Sequence, residues 1–175
     1  MTCYFCGGTI GYYEVDVGLP TNGDDLRIMG IADLNNDKLN DLIMIDSAGT
    51  SGTVYYFDDD MGTYAHSASF KLPTGYTCDG ILPTAIPSAL QDLIVVASKV
   101  DESTDTTETK LFYYTQSDLG SASASSGADR YSWTQTSSTL NSLSLYPGSQ
   151  PLALDINGDQ AMDLLYQSAD VAEGV

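Results

Sequence analysis

Ile31-Ala-Asp-Leu-Asn-Asn-Asp-Lys-Leu-Asn-Asp-Leu-Ile-Met-Ile-Asp46 decides how this chain reads. Its first half alternates oxygen-bearing side chains, Asp33, Asn35 and Asp37, and closes on Asp41. Its second half is the short apolar run Leu42–Ile45. Ala153-Leu-Asp-Ile-Asn-Gly-Asp-Gln-Ala-Met-Asp-Leu-Leu-Tyr-Gln167 repeats both halves with the same spacing. Asp155 follows Asp33 by 122 residues, twice 61, so a middle copy is expected. Alignment on the Asp-Leu-apolar triplet places that copy at Asp92-Leu-Ile94. The preceding Thr84-Ala-Ile-Pro-Ser-Ala-Leu-Gln91 keeps the length and loses the acids.

In a tightly turning loop, residues i, i+2 and i+4 point inward together. Asp33, Asn35 and Asp37 would supply side-chain oxygens, Leu39 a carbonyl, and Asp41 the closing carboxylate. The second loop offers Asp155, Asn157, Asp159, the Ala161 carbonyl and Asp163. All-oxygen sets of this kind suit Ca²⁺ better than Mg²⁺, which keeps its waters and demands a strict octahedron. Two Ca²⁺ sites are therefore expected. The middle copy, with Thr84, Ile86, Ser88, Leu90 and Asp92, is expected to bind no metal. One such stretch alone would be what turn-forming Asp and Asn give; two with identical spacing, each feeding an apolar run, favour metal. An EF-hand needs Gly at loop position 6 and Glu at position 12. Lys38 and Met44 stand there in the first loop, Gln160 and Tyr166 in the second.

The rest of the chain reads as all-β. Helical apolar periodicity is missing, and short β-rich runs alternate with Gly, Asp, Asn, Ser and Thr clusters. Strands are predicted over Thr9–Val17, Leu26–Asp33, Asp41–Asp46, Gly52–Phe57, Ser67–Leu72, Gly80–Ile86, Asp92–Val100, Lys110–Thr115, Arg130–Thr136, Pro151–Ile156 and Asp163–Gln167. Continuous apolar runs such as Leu93-Ile-Val-Val-Ala97 predict strands buried on both faces. The polar stretches 101–109 and 121–127 predict solvated excursions between strands.

The 175 residues carry 6 Lys and Arg against 24 Asp and Glu, a formal charge of −18. That repels phosphate backbones and anionic membrane surfaces and favours hard cations. No run approaches the ~20 apolar residues of a membrane helix. The N-terminus does not read as a signal peptide, so any membrane link would run through an anchor outside this segment. Cys3, Cys6 and Cys78 read as one disulfide with a leftover thiol, or as three buried cysteines. A zinc site would need more ligands than this CxxC offers. His66 has no nucleophile motif beside it, and a catalytic role is not expected.

The D-x-N-x-D-x-x-x-D-L pattern leading into a strand, at roughly 60-residue spacing, resembles the FG-GAP repeat of integrin α chains and other extracellular proteins. Three stretches, Gly30–Ile43, Tyr55-Tyr-Phe-Asp58 and Leu152–Asp159, look most like the T-cell immunomodulatory (integrin-α FG-GAP repeat-containing) family. The resemblance implies a β-propeller of four-stranded blades, of which two to three are present. Residues 1–24 would end one blade, 25–79 form a blade with a calcium loop, 80–150 a blade with a degenerate loop, and 151–175 begin another with a calcium loop. The chain is then expected to be a piece of a longer propeller. The implied function is non-enzymatic: protein–protein interaction or adhesion at a cell surface or outside the cell. Its partners would be proteins, or other segments or chains that complete the propeller. The alternatives are a structural module of an extracellular filament or assembly, and an accessory propeller of a secreted hydrolase.

Overall fold

The computed structural model describes residues 2–6, 12–19, 26–84, 90–120, 130–159 and 162–169. These residues are β-strands joined by turns, with a single 3-10 turn at Thr139–Ser142. All strand pairings are antiparallel. β1 (Thr2–Cys6) and β2 (Tyr12–Asp16) pair with each other. β3 (Arg27–Ala32), β4 (Asp41–Ile45), β5 (Ser51–Asp58) and β6 (Thr63–Lys71) form a sheet in chain order. β7 (Thr77–Pro83), β8 (Leu93–Asp101), β9 (Thr106–Asp118) and β10 (Tyr131–Thr136) form the next, again in chain order. β11 (Ser144–Leu145) shares the β10 edge of β9. β12 (Leu152–Leu154) and β13 (Asp163–Leu165) close the described chain as a hairpin.

Burial explains why Leu42–Ile45 of β4 and Leu93–Ala97 of β8 have no polar face. Successive residues of a strand point to opposite sides, yet Asp41–Ile45 and Leu93–Ala97 are buried throughout. Ile43 and Ile45 of β4 pack with Leu93, Val95 and Ala97 of β8 in one core between the two sheets. Leu42 and Met44 face the other way, onto Val17 and Leu19. Ile94 and Val96 of β8 also face the other way, onto Leu145, Leu164 and Tyr166. In the two four-stranded sheets these inner strands are thus covered on both sides, and apolar residues are required on both faces.

The sheet-to-sheet core is aromatic-rich. Phe70 lies 5.1 Å from Tyr114 and 6.5 Å from Trp133, measured between ring centroids. The Tyr114 hydroxyl donates to the Lys71 carbonyl at 2.7 Å, a polar tie between β9 and β6. Gly52 makes room for this packing: a Cβ there would collide with the Phe70 ring and lie 2.8 Å from Ile45 Cδ1.

The eleven expected strands all have counterparts, with two more, β1 and β11. Residues 9–11, where the first predicted strand begins, lie outside the described residues, as do 85–89 and 121–127. The stretch 101–109 is a correction. It forms a hairpin, with Asp101 paired to Thr106 and Ser98 to Thr109. Residues 101–108 are exposed as expected, but Thr-rich sequence suits a strand, and Asp101 Oδ1 accepts from Ser103 N and Oγ to form the turn. β7 opens at Thr77, earlier than predicted, because a bulge between Cys78 and Gly80 lets Thr77 and Cys78 pair with Ser98 and Ala97.

Candidate metal centre

The β3–β4 connection folds around its own side-chain oxygens. Asp33 Oδ1 and Asn35 Oδ1 both accept from the Asp37 N–H, each at 3.1 Å. Asp33 Oδ2 accepts from Lys38 N at 2.9 Å, and Asp37 Oδ1 from Leu39 N at 2.8 Å. Asn35 Nδ2 donates to Asp37 Oδ2 at 2.8 Å. Two side-chain oxygens thus share the one Asp37 N–H. The path needs left-handed backbone at Asn36 (φ 61°) and Lys38 (φ 72°), and Asn tolerates that region better than most residues.

Asp41 ties the loop to the sheet. Its Oδ2 accepts from Leu34 N at 2.8 Å and its Oδ1 from Phe57 N, on β5, at 3.1 Å. Asp41 is 0% exposed. Burial pushes its carboxyl up to about 7; the Leu34 and Phe57 N–H groups oppose that rise, and the nearby Asp37 and Asp33 carboxylates add to it.

The second loop repeats this bonding. Asp155 Oδ1 and Asn157 Oδ1 accept from the Asp159 N–H at 3.1 and 2.8 Å. Asn157 Nδ2 donates to Asp159 Oδ2 at 3.0 Å. Asp163 Oδ2 accepts from Ile156 N at 2.9 Å, as Asp41 does from Leu34. Gly158 (φ 80°) takes the left-handed place of Asn36. Ala161 lies outside the described residues.

The middle copy keeps only its sheet end. Asp92 Oδ1 accepts from Gln116 N on β9 at 2.9 Å, and Oδ2 from the Tyr113 hydroxyl at 2.5 Å. Burial, then Asp92, pushes the Tyr113 hydroxyl up to about 12. Where the first loop has Asp33, Thr84 Oγ1 accepts from Asp92 N at 2.8 Å. Leu90 is described; Ile86 and Ser88 are not.

Among the described residues, no three His, Cys, Asp or Glu side chains come together as a metal-holding group. Each expected set counts three carboxylates, Asp33, Asp37 and Asp41 in the first loop and Asp155, Asp159 and Asp163 in the second, beside an Asn side chain and a backbone carbonyl. Each carboxylate oxygen that accepts one N–H still has a second lone pair. The donors on offer are all oxygen, the type that hard cations take.

A cleft of about 310 Å³ opens beside the first loop, where Asn35 and Asp37 meet Asp58, His66, Arg130 and Tyr131. His66 Nε2 lies 3.8 Å from Asp58 Oδ2, and the Arg130 guanidinium 5.1 Å from the Tyr131 ring. Burial raises the pKa of the Tyr131 hydroxyl, and the neighbouring Asn35 side chain opposes that rise. The sequence reading missed Arg130 and Tyr131 as neighbours of the loop. Their separation of about 95 positions leaves no local signal; only the aromatic start of β10 marked them as strand.

Cys78 is a buried free thiol, raised to about 11 mainly by burial. Cys3 and Cys6 lie within β1, so this CxxC does not open a helix; their side chains are outside the described residues. No helix among the described residues is long and apolar enough to cross a membrane. Compared with known proteins, the chain matches no family model, no curated protein and no solved structure.

Proposed function

We propose that the chain is a non-enzymatic, calcium-stabilised β-propeller segment of FG-GAP type, each four-stranded antiparallel sheet being one blade, that presents loops for protein–protein contact at a cell surface or in an extracellular assembly. The observation that carries this reading is the recurrence of one bonding pattern in two loops 122 residues apart. Chain-ordered sheets that cover one another in series support the architecture. The charge of −18 supports a cation-rich setting.

Asp33, Asn35, Asp37, Asp41 and the Leu39 carbonyl would hold one Ca²⁺; Asp155, Asn157, Asp159, Asp163 and the Ala161 carbonyl would hold the other. Bound Ca²⁺ supplies positive charge among crowded carboxylates. Backbone N–H groups hold the Asp33, Asn35, Asp155 and Asn157 oxygens, which supports the reading. The deciding experiment is thermal unfolding with calcium and with chelator. A melting temperature that rises with calcium is expected, since a ligand of the native state alone must raise stability. An unchanged temperature would sink the calcium reading.

A further inference from the structure

Gln116 is a polar side chain in an apolar row. It follows Phe112 and Tyr114 along one face of β9, and those two lie in the core between the sheets. Only 8% of it is exposed. Its counterpart in the first sheet is Phe57, whose ring packs edge-on against Tyr64 at 5.2 Å. Both residues give their backbone N–H to the aspartate of their own sheet, Phe57 to Asp41 and Gln116 to Asp92. That bond asks for no particular side chain, so the Gln116 amide answers to something else. Burying it costs free energy unless it is bonded.

The amide meets three polar atoms, and one orientation serves all of them. Its nitrogen donates to the Leu34 carbonyl at 3.1 Å and to the Gln91 carbonyl at 3.0 Å, and its oxygen accepts from the Tyr56 hydroxyl at 3.1 Å. The Leu34 carbonyl also accepts from Gln91 N at 2.9 Å. Both of its lone pairs are thus engaged from the middle repeat. Leu34 is itself 0% exposed and donates its N–H to Asp41 Oδ2 at 2.8 Å. Its carbonyl belongs to the peptide unit that leads into Asn35, whose Oδ1 accepts from Asp37 N. Leu34 therefore stands between Asp33 and Asn35 with both backbone polar groups held, one by Asp41 and the other from the neighbouring sheet. The middle loop is closed at its own ends, with Thr84 N donating to the Asp92 carbonyl at 2.9 Å and Asp92 N to Thr84 Oγ1 at 2.8 Å. It has lost its acids and kept a grip on the loop next to it.

We infer that Gln116 is a positioning residue for the first loop: with Gln91 it clamps the Leu34 carbonyl, and so holds Asn35 and Asp41 in the arrangement a cation would meet. The cation part of this inference rests on the calcium reading of that loop; the clamp itself does not. Groups that orient metal ligands from behind are worth roughly 10–100-fold in affinity.

The test uses the full chain and the variant Gln116→Met, which keeps the length of the side chain and removes its donors. Tyr114→Phe is the control, because it loses a hydrogen bond from the same row without touching the loop. Amide hydrogen exchange in chelator reads the clamp. In Gln116→Met the Asp37, Lys38 and Leu39 N–H groups should lose more protection than the core amides of β4 and β8, while Asp159 N–H in the second loop follows the core. In Tyr114→Phe all of them should follow the core. In the unsubstituted chain the Gln116 side-chain amide protons should exchange slowly with water, a measurement that does not depend on the variant folding. Terbium titration reads the cation. Asp159→Ala leaves the first loop to bind and Asp37→Ala the second; adding Gln116→Met should weaken terbium roughly 10–100-fold in the former and leave the latter unchanged. First-loop amides that fall only with the core, an equal selective loss in Tyr114→Phe, fast exchange of the Gln116 amide, or equal weakening of terbium at both loops would each overturn the inference. Terbium bound by neither loop refutes the calcium reading, and the exchange data still decide the clamp. Terbium bound at the first loop with an affinity that Gln116→Met does not change refutes the positioning role alone.

Discussion

Asp41 and Asp92 occupy the same place in successive sheets. Leu42 pairs with Tyr55 and Leu93 with Tyr114, and in each case the preceding aspartate accepts the N–H two residues beyond that partner, from Phe57 and Gln116. The middle repeat has lost its loop acids and kept this carboxylate, so the aspartate has work in the sheet apart from any cation. Asp92→Ala should destabilise the fold by about 1–3 kcal/mol, the usual cost of orphaning partly buried donors. Asp92→Asn, which keeps an acceptor for Gln116 N, should cost less. Urea unfolding of both variants checks the order.

The two loops should titrate independently with cation. Asp37→Ala and Asp159→Ala are each expected to lower calorimetric Ca²⁺ stoichiometry from two to one per chain, and the double variant to abolish it. At calcium 100-fold above the dissociation constant, each intact site should contribute about 2.7 kcal/mol of stability. Unchanged stoichiometry in either single variant would remove that loop from the assignment.

Without divalent cations, Asp41 should give an inverted acid limb. Its carboxyl is raised from 3.8 to about 7, first by burial. The folded state therefore binds its proton more tightly than the unfolded chain, and the stability this provides is complete below pH 3.8 and lost as pH rises through about 7. Asp46, Asp101, Asp118 and Glu108 are all shifted down and act in the opposite sense, losing their contribution as pH falls. The difference between wild type and Asp41→Asn isolates the limb. Melting curves in chelator from pH 4 to 8 should lie closest at the acid end, where Asp41 is protonated and resembles Asn, and separate as pH rises through about 7, with wild type becoming the less stable.

Two core substitutions report on the sheet-to-sheet interface. Gly52→Ala forces the Phe70 ring and Ile45 to move and should cost about 1–3 kcal/mol, as overpacking does. Tyr114→Phe removes the hydroxyl that reaches the Lys71 carbonyl and should cost about 1 kcal/mol with the core otherwise intact. Denaturant midpoints separate the two effects.

Much of the architecture was legible because it is written locally. Apolar runs at Leu42–Ile45 and Leu93–Ala97 announce strands buried on both faces, and alternating Asp and Asn oxygens announce the loops. β1 escaped notice because Thr-Cys-Tyr-Phe-Cys does not alternate, and β11 because two residues make no pattern. The hairpin at 101–106 was misread because polar composition says solvent, while only pairing says strand. The meeting of Arg130 and Tyr131 with the first loop depends on how two sheets pack, and no spacing in the chain encodes it.

A strand that is greasy on both sides has a hidden weakness. Sliding β4 by one position would swap Leu42 and Met44 with Ile43 and Ile45, and the oil would scarcely notice. Hydrophobicity specifies alignment only where one face is wet. Here alignment falls to the one carboxylate that cannot slide without abandoning both Leu34 and Phe57. Asp41 and Asp92 are the pins that stop otherwise interchangeable ribbons from slipping past their neighbours.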